Sequence, residues 1–248
     1  MAHQFSNEIY SMIVDNLQAE VSTLRRVSFV NRAFAASSRL YLWRRVTLKH
    51  QPTSNHVSSC AEFYEILTGG ALTPGVADLV QEFCIDGTEL PSTLSSDVHL
   101  PRVLDRLSNL TRLDIFNMSW PTDNNNRLLT SIRRILRSAS LEGLTMVSLE
   151  GLALPTYLID DCLAVRTLRL KGNYILENPL SVTTVQTHAP RPQNLILDLD
   201  PSIMVDVWPR IDTSYLQSLV IQLPTFEENM IVDGHALQCL GLNYSKRL

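Results

Sequence analysis

The chain predicts an α/β protein in which a short unit of three helices precedes stacked repeats whose strands form a parallel sheet. Three observations lead there. Apolar residues near the start recur at helical spacing. The rest of the chain repeats a short pattern: an apolar residue, two others, an apolar residue, one other, an apolar residue. Between these patterns lie segments with the one-sided apolar spacing of surface helices. A chain of 248 residues holds one large domain or two unequal ones. The change of pattern puts the expected boundary between residues 1–48 and 49–248.

The first helix is predicted by Ile9, Ile13 and Leu17, four apart, with Met12 beside them. Ser6 suits its N-cap, and Glu8 sits in the first turn, where the helix dipole favours an acid. Leu24, Val27, Val30 and Phe34 form a second stripe, with Ser22 or Thr23 as its cap. Asn31 interrupts that stripe, and Ala33–Ala36 with Leu40, Leu42 and Trp43 suggest a third helix. Val46-Thr47-Leu48 then alternates like a strand. Three short helices bury too little surface to stand alone, so their apolar residues must meet a partner or a neighbouring domain.

The repeating pattern reads as Val80-Phe83-Ile85, Leu110-Leu113-Ile115, Leu144-Val147-Leu149, Val165-Leu168-Leu170, Pro192-Leu195-Leu197, Leu216-Leu219-Ile221 and Leu237-Leu240-Leu242. The last residues of these units are 30, 34, 21, 27, 24 and 21 apart. Alternate strand residues share a face, so Leu168 and Leu170 both point inward and the stacked strands bury one face of a sheet. The returning segments expected to cover it are Cys60–Leu67, Val103–Leu107, Arg127–Leu136 and Thr156–Leu163. Arg133, Arg134 and Arg137 fall on the outer side of the third and read as solvated surface, as does the pair Asp160-Asp161. Gly69-Gly70 reads as a helix stop, and residues 171–192 look loop-like.

Phe5-Ser6-Asn7-Glu8-Ile9, then Ile13 and Leu17, then Leu24 to Phe34, then Tyr41-Leu42-Trp43-Arg44-Arg45-Val46 together resemble an F-box. That pattern opens Leu-Pro-x-Glu-Ile, continues with a Leu-x-x-Val-x-x-Val-x-Arg-x-Trp-like block, and closes on Leu-Trp and basic residues. The match covers residues 5–48; Phe5 and Ser6 stand where Leu-Pro is usual, and Phe34 where Trp is common. The resemblance implies docking on the acidic Skp-type adaptor of a cullin–RING ubiquitin ligase. Carried over by position, the contact set is Phe5, Ser6, Ile9, Ile13, Leu17, Leu24, Val27, Val30 and Trp43. The whole chain resembles F-box proteins with an irregular leucine-rich-repeat solenoid, which recruits a protein substrate for ubiquitin transfer. The implied function is that of a substrate-recognition adaptor. The alternative is a repeat scaffold whose N-terminal helices only cap the array, with no ligase role.

Charge is uneven: residues 21–50 carry seven basic residues and no acid, residues 1–20 sum to −3, and residues 51–248 sum to −8. The basic block suits an acidic protein, and with few aromatics interleaved it argues against a nucleic-acid site. No apolar run approaches the length of a membrane span, and no signal-peptide pattern opens the chain. The four cysteines lie far apart with no Cys-x-x-Cys pair, which points to a reducing intracellular compartment, cytoplasmic or nuclear. No nucleophile elbow, phosphate loop or metal-ligand spacing is present, so neither an enzyme nor a cofactor or metal is expected.

The middle residue of each repeat strand, and those flanking the inward pair, should face the open side. This gives Arg112, Asp114, Phe116, Met146, Ser148, Glu150, Thr167, Arg169, Lys171, Ile196, Asp198, Val220, Gln222 and Asn243. Mixed charge with apolar Phe116, Met146, Ile196 and Val220 suits an unidentified protein substrate better than a phosphate backbone. The chain stops six residues after Leu242 with no capping unit in sight, which predicts truncation or association at that edge.

Overall fold

The computed structural model describes residues 6–49, 59–69, 75–88, 91–121, 126–148, 152–172 and 189–222. Helices α1 (Asn7–Asn16), α2 (Val21–Ser28) and α3 (Arg32–Leu42) open the chain. Asn31 ends the second stripe by capping the third helix: its side-chain oxygen accepts the Phe34 N–H at 2.9 Å. Ser6 holds the cap position of α1, but its hydroxyl makes no cap bond. The cap of α2 is Glu20, earlier than expected, and its carboxylate accepts the Thr23 hydroxyl at 2.9 Å.

Both α1 and α2 pack on α3. Their shared core is small: only Tyr10, Val14, Leu24 and Ser38 are buried. Tyr10 meets Phe34 edge to face at 4.7 Å. The Tyr41 hydroxyl donates to Asp15 at 2.6 Å, tying α3 to α1, and that bond raises the Tyr41 pKa. The Ser38 hydroxyl has no hydrogen-bond partner inside this core.

Seven strands follow: β1 (Arg45–Lys49), β2 (Glu82–Asp86), β3 (Arg112–Phe116), β4 (Gly143–Val147), β5 (Thr167–Gly172), β6 (Asn194–Leu199) and β7 (Ser218–Ile221). They form one all-parallel sheet in chain order. Parallel neighbours need a crossover, and the intervening segments supply it. These contain α4 (Ser59–Thr68), α5 (Val76–Leu79), α6 (Pro91–Ser96), α7 (Leu100–Arg106), α8 (Arg127–Leu136) and α9 (Pro201–Val207). A 3-10 stretch covers Thr156–Asp161, and 3-10 turns lie at Trp208–Arg210 and Thr213–Tyr215. α4, α7, α8 and the Thr156–Asp161 stretch touch one another in that order, so the returns form a second layer. α4 ends at Gly69, where a Cβ would lie 2.8 Å from the Glu65 carbonyl oxygen.

One row of the sheet is Val46, Phe83, Leu113, Leu144, Leu168, Leu195 and Leu219; a second is Leu48, Ile85, Ile115, Met146, Leu170, Leu197 and Ile221. From Phe83 to Leu197 every member of both rows is buried, in one core with Leu104 and Ile132 of the helical layer. Each such side chain contributes about 1.5–3 kcal/mol by leaving water. A hydrogen-bond device recurs at every step. The carbonyl just before a strand accepts two successive N–H groups of the next one. Arg44 takes Gln81 and Glu82, Gln81 takes Thr111 and Arg112, and Thr111 takes Glu142 and Gly143. Glu142 takes Arg166 and Thr167, Arg166 takes Gln193 and Asn194, and Gln193 takes Gln217 and Ser218, all at 2.7–3.0 Å.

Two sequence expectations change. The third repeat unit is Leu141-Leu144-Met146, not Leu144-Val147-Leu149, because Leu144 pairs with Leu113 and Met146 with Ile115. Both readings fit the pattern, but they differ by three residues, and an odd slip swaps the faces of a strand. The expected boundary at residue 48 also falls inside β1, the first strand of the sheet. Trp43-Val46-Leu48 has the repeat spacing itself, and Trp43 stacks on Phe63 at 6.3 Å, which in turn stacks on Phe83 at 6.2 Å. Phe5, Glu150, Asn243 and the unit Leu237-Leu240-Leu242 lie outside the described residues, as do residues 223–248.

Candidate functional site

Two surfaces carry the residues singled out by the sequence. The first lies on the N-terminal helices. Tyr10 and Val14 turn one side of α1 into the small core, which leaves Ile9 (41% exposed), Ile13 (40%) and Met12 (64%) on the surface. At the end of α2, Phe29 (88%) and Val30 (68%) are also exposed. Thirteen large hydrophobic residues are exposed among the described residues; seven of them, with Val21 and Leu40, fall before residue 41. The other six are spread from Val98 to Val220.

The expected contact set divides. Ser6, Ile9, Ile13 and Val30 are exposed, while Leu17 and Val27 are half-buried. Leu24 is not available: it is fully buried among α1–α3, because the little core has few other large apolar groups to fill it. Trp43 is not available on its stacked side, since it packs against the sheet's core through Phe63. Phe29 was not in the set; its signal is an aromatic side chain off the α2 stripe, next to Val30.

The basic block also divides. Arg44 and Arg45 approach Glu82 at 3.9 Å, and Lys49 approaches Asp86 at 3.3 Å, so these three belong to the sheet. Arg25, Arg26 and Arg32 are exposed near Phe29 and Val30 in sequence, with no acidic partner among the described residues.

The second surface is the face of the sheet away from the core. Its middle row is Thr47, Cys84, Asp114, Thr145, Arg169, Ile196 and Val220, flanked by rows that contain Arg112, Phe116, Thr167, Lys171, Asp198 and Asn194. Met146 points into the core instead, and Ser148 lies just past β4, buried, its N–H donating to the Lys171 carbonyl at 2.8 Å. Gly143, Thr145 and Val147 take the places expected for Met146, Ser148 and Glu150. Gln222 follows β7 and is exposed.

Toward the start of the strands this face opens into a cleft of about 330 Å³ between Glu82, Arg112, Gly143, Arg166, Thr167 and Asn194. Asp114 is buried beneath it, with the Arg112 Nε 3.0 Å from both carboxylate oxygens. Burial alone would raise the Asp86 carboxyl, but the Thr88 hydroxyl and N–H and the Lys49 ammonium outweigh it and hold its pKa low. The Cys84 thiol is pushed up to about 11, first by burial and then by Asp114 and Asp86.

No family model matches this chain, and no curated protein or solved structure matches it either.

The helical side carries several ion pairs. Asp161 accepts Arg133 at 3.4 Å and Arg137 at 2.6 Å, Asp160 accepts Arg210 at 2.7 Å, and Asp105 accepts Arg127 at 3.3 Å. Arg134 and Arg137 are exposed, as the sequence suggests, while Asp161, read as solvated, is largely shielded where α8 and the Thr156–Asp161 stretch meet. Burial pushes the Cys60 thiol up to about 12 and raises that of Cys162 further, so neither is an activated nucleophile. Among the described residues no group of three or more His, Cys, Asp or Glu could hold a metal ion, and no helix is long and apolar enough to cross a membrane.

Proposed function

We propose that this chain is the substrate-recognition adaptor of a Skp–cullin–F-box type ubiquitin ligase, working inside the cell. The carrying observation is the exposed apolar set Ile9, Met12, Ile13, Phe29 and Val30 on a three-helix unit whose own core holds only Tyr10, Val14, Leu24 and Ser38. A unit with seven exposed large apolar residues against three buried ones suits a covering partner. Arg25, Arg26 and Arg32 beside it suit an acidic partner such as the Skp-type adaptor. The sheet unit is read as an irregular leucine-rich-repeat solenoid. One strand per step, helical returns where the connections are described, the recurring twin hydrogen bond and the two inward apolar rows support that reading. Its open face is the substrate-binding surface, and the partner is a protein.

A second reading, a repeat scaffold with no ligase role, draws on Leu24 and Trp43. Both stand at F-box contact positions and both are used within the chain. Co-purification of the full chain with a Skp-type adaptor separates the two. The ligase reading expects a stoichiometric complex that is lost when Ile9→Asp and Ile13→Asp are combined. A folded double variant that still binds, or a wild-type chain that never binds, leaves the scaffold reading.

A further inference from the structure

Among the described residues the open face of the sheet holds more cations than acids, and the cation at its middle, Arg169, pairs with none of them. Glu82 is shared by Arg44 and Arg45, Asp86 takes Lys49, Glu142 takes Arg166 at 3.8 Å, and Asp198 takes Lys171. Asp114 takes Arg112 at 3.0 Å. Arg169 stands on β5 between Thr145 of β4 and Ile196 of β6; it is exposed, and nothing among the described residues pairs with it. Gly143, diagonal to it, leaves the cleft open on one side. On the other side Ile196 is half-buried and Val220 is 41% exposed.

We propose that this face takes an extended peptide segment of a partner protein, with an anionic side chain on Arg169 and an apolar side chain on Ile196 and Val220. The proposal rests on the open sheet face being the substrate-binding surface. A guanidinium whose neighbouring acids are all engaged is free to take a carboxylate or phosphate through paired hydrogen bonds. A polyanion fits poorly, because Glu82, Glu142 and Asp198 line the same face and would repel a run of phosphates. The spacing is set by the sheet. β7 lies two strands from β5, roughly 9.6 Å away, which an extended chain crosses in about three residues. The recognised segment therefore places its anion and its apolar residue about three positions apart.

The test uses the full chain and a blocked, dye-labelled ten-residue peptide read by fluorescence anisotropy. The peptide carries one glutamate and, three positions away, one leucine, in both orders; companion peptides carry phosphoserine or glutamine in place of the glutamate. At least one anionic peptide should bind about tenfold more tightly than the glutamine form, and Arg169→Ala should remove that difference. Arg169→Lys should keep part of it, and added salt should weaken it. A tighter phosphoserine peptide names phosphate as the anion, and a tighter glutamate peptide names carboxylate. Equal binding of all three peptides, or an Arg169→Ala chain that still prefers the anion, overturns the proposal. Skp-type adaptor co-purification by the unsubstituted chain keeps the outcomes apart. Intact adaptor binding with no anion preference sinks the peptide proposal alone. Anion preference without adaptor binding sinks the ligase reading alone.

Discussion

The three N-terminal helices and the sheet that follows handle apolar residues in opposite ways. In the sheet, both inward rows are buried from Phe83 to Leu197, and each strand is pinned to the next by the same twin hydrogen bond. In the helices, Ile9, Met12, Ile13, Phe29 and Val30 stay on the surface, and one of the few buried positions is spent on an unpaired serine hydroxyl. The sheet gets its stability from its own stacking. The helical unit leaves apolar surface uncovered, and this difference, more than any single residue, is what the proposed docking role rests on.

The largest effect that sharpens the contrast is a cavity in the sheet. Leu168→Ala removes a fully buried side chain from the middle of the inward row and should cost about 2–5 kcal/mol in denaturant unfolding. Trp43→Ala tests which unit owns that residue. With its ring stacked on Phe63, the loss should fall on the sheet's unfolding transition by about 2 kcal/mol, less than a full core deletion because Trp43 is half-buried. Adaptor binding should survive in folded protein.

Alkaline pH provides a third handle, read through the cysteines, the first of which, Cys60, already lies beyond the helical unit. The thiols of Cys84 and Cys60 rise from 9.0 to about 11 and about 12 on folding, by burial first. The folded state prefers the neutral thiol, so this contribution is complete below pH 9 and is lost as pH climbs toward 11–12. Thermal unfolding should show the sheet weakening across that window, and at pH 8 both thiols should resist alkylation until the chain unfolds. The smallest effect is Ser38→Ala. It removes a buried hydroxyl that has no partner and should leave the helical unit unchanged or more stable by up to about 1 kcal/mol. A loss of stability there would mean that the hydroxyl is satisfied in solution.

Much of this contrast was legible in the sequence. Asn31 marked the break between α2 and α3, and the apolar run of Arg127–Leu136 marked α8 to the residue. The repeats announced the parallel sheet, because period-two pairs at a fixed offset have few other uses. The third unit misled because Leu141, Leu144, Met146, Val147 and Leu149 satisfy the same pattern twice; only pairing with Leu113 and Ile115 chooses between them. Trp43 misled because one spacing serves two motifs. It ends the F-box-like block and also begins the first repeat, and its stacking on Phe63 shows the second use. The ion pairs of the α8 arginines were invisible because their partners, Asp105 and Asp161, come from other returns and share no local spacing with them. That Arg169 has no partner among the described residues was invisible for the same reason, since pairing is a property of the assembled face.

The most direct measurement is amide hydrogen exchange of the full chain with and without a Skp-type adaptor. The account predicts that protection rises in α1 and around Phe29 and Val30, while the seven strands exchange as before. Protection that appears on the sheet and leaves α1 unchanged, or no change anywhere at saturating adaptor, would contradict it.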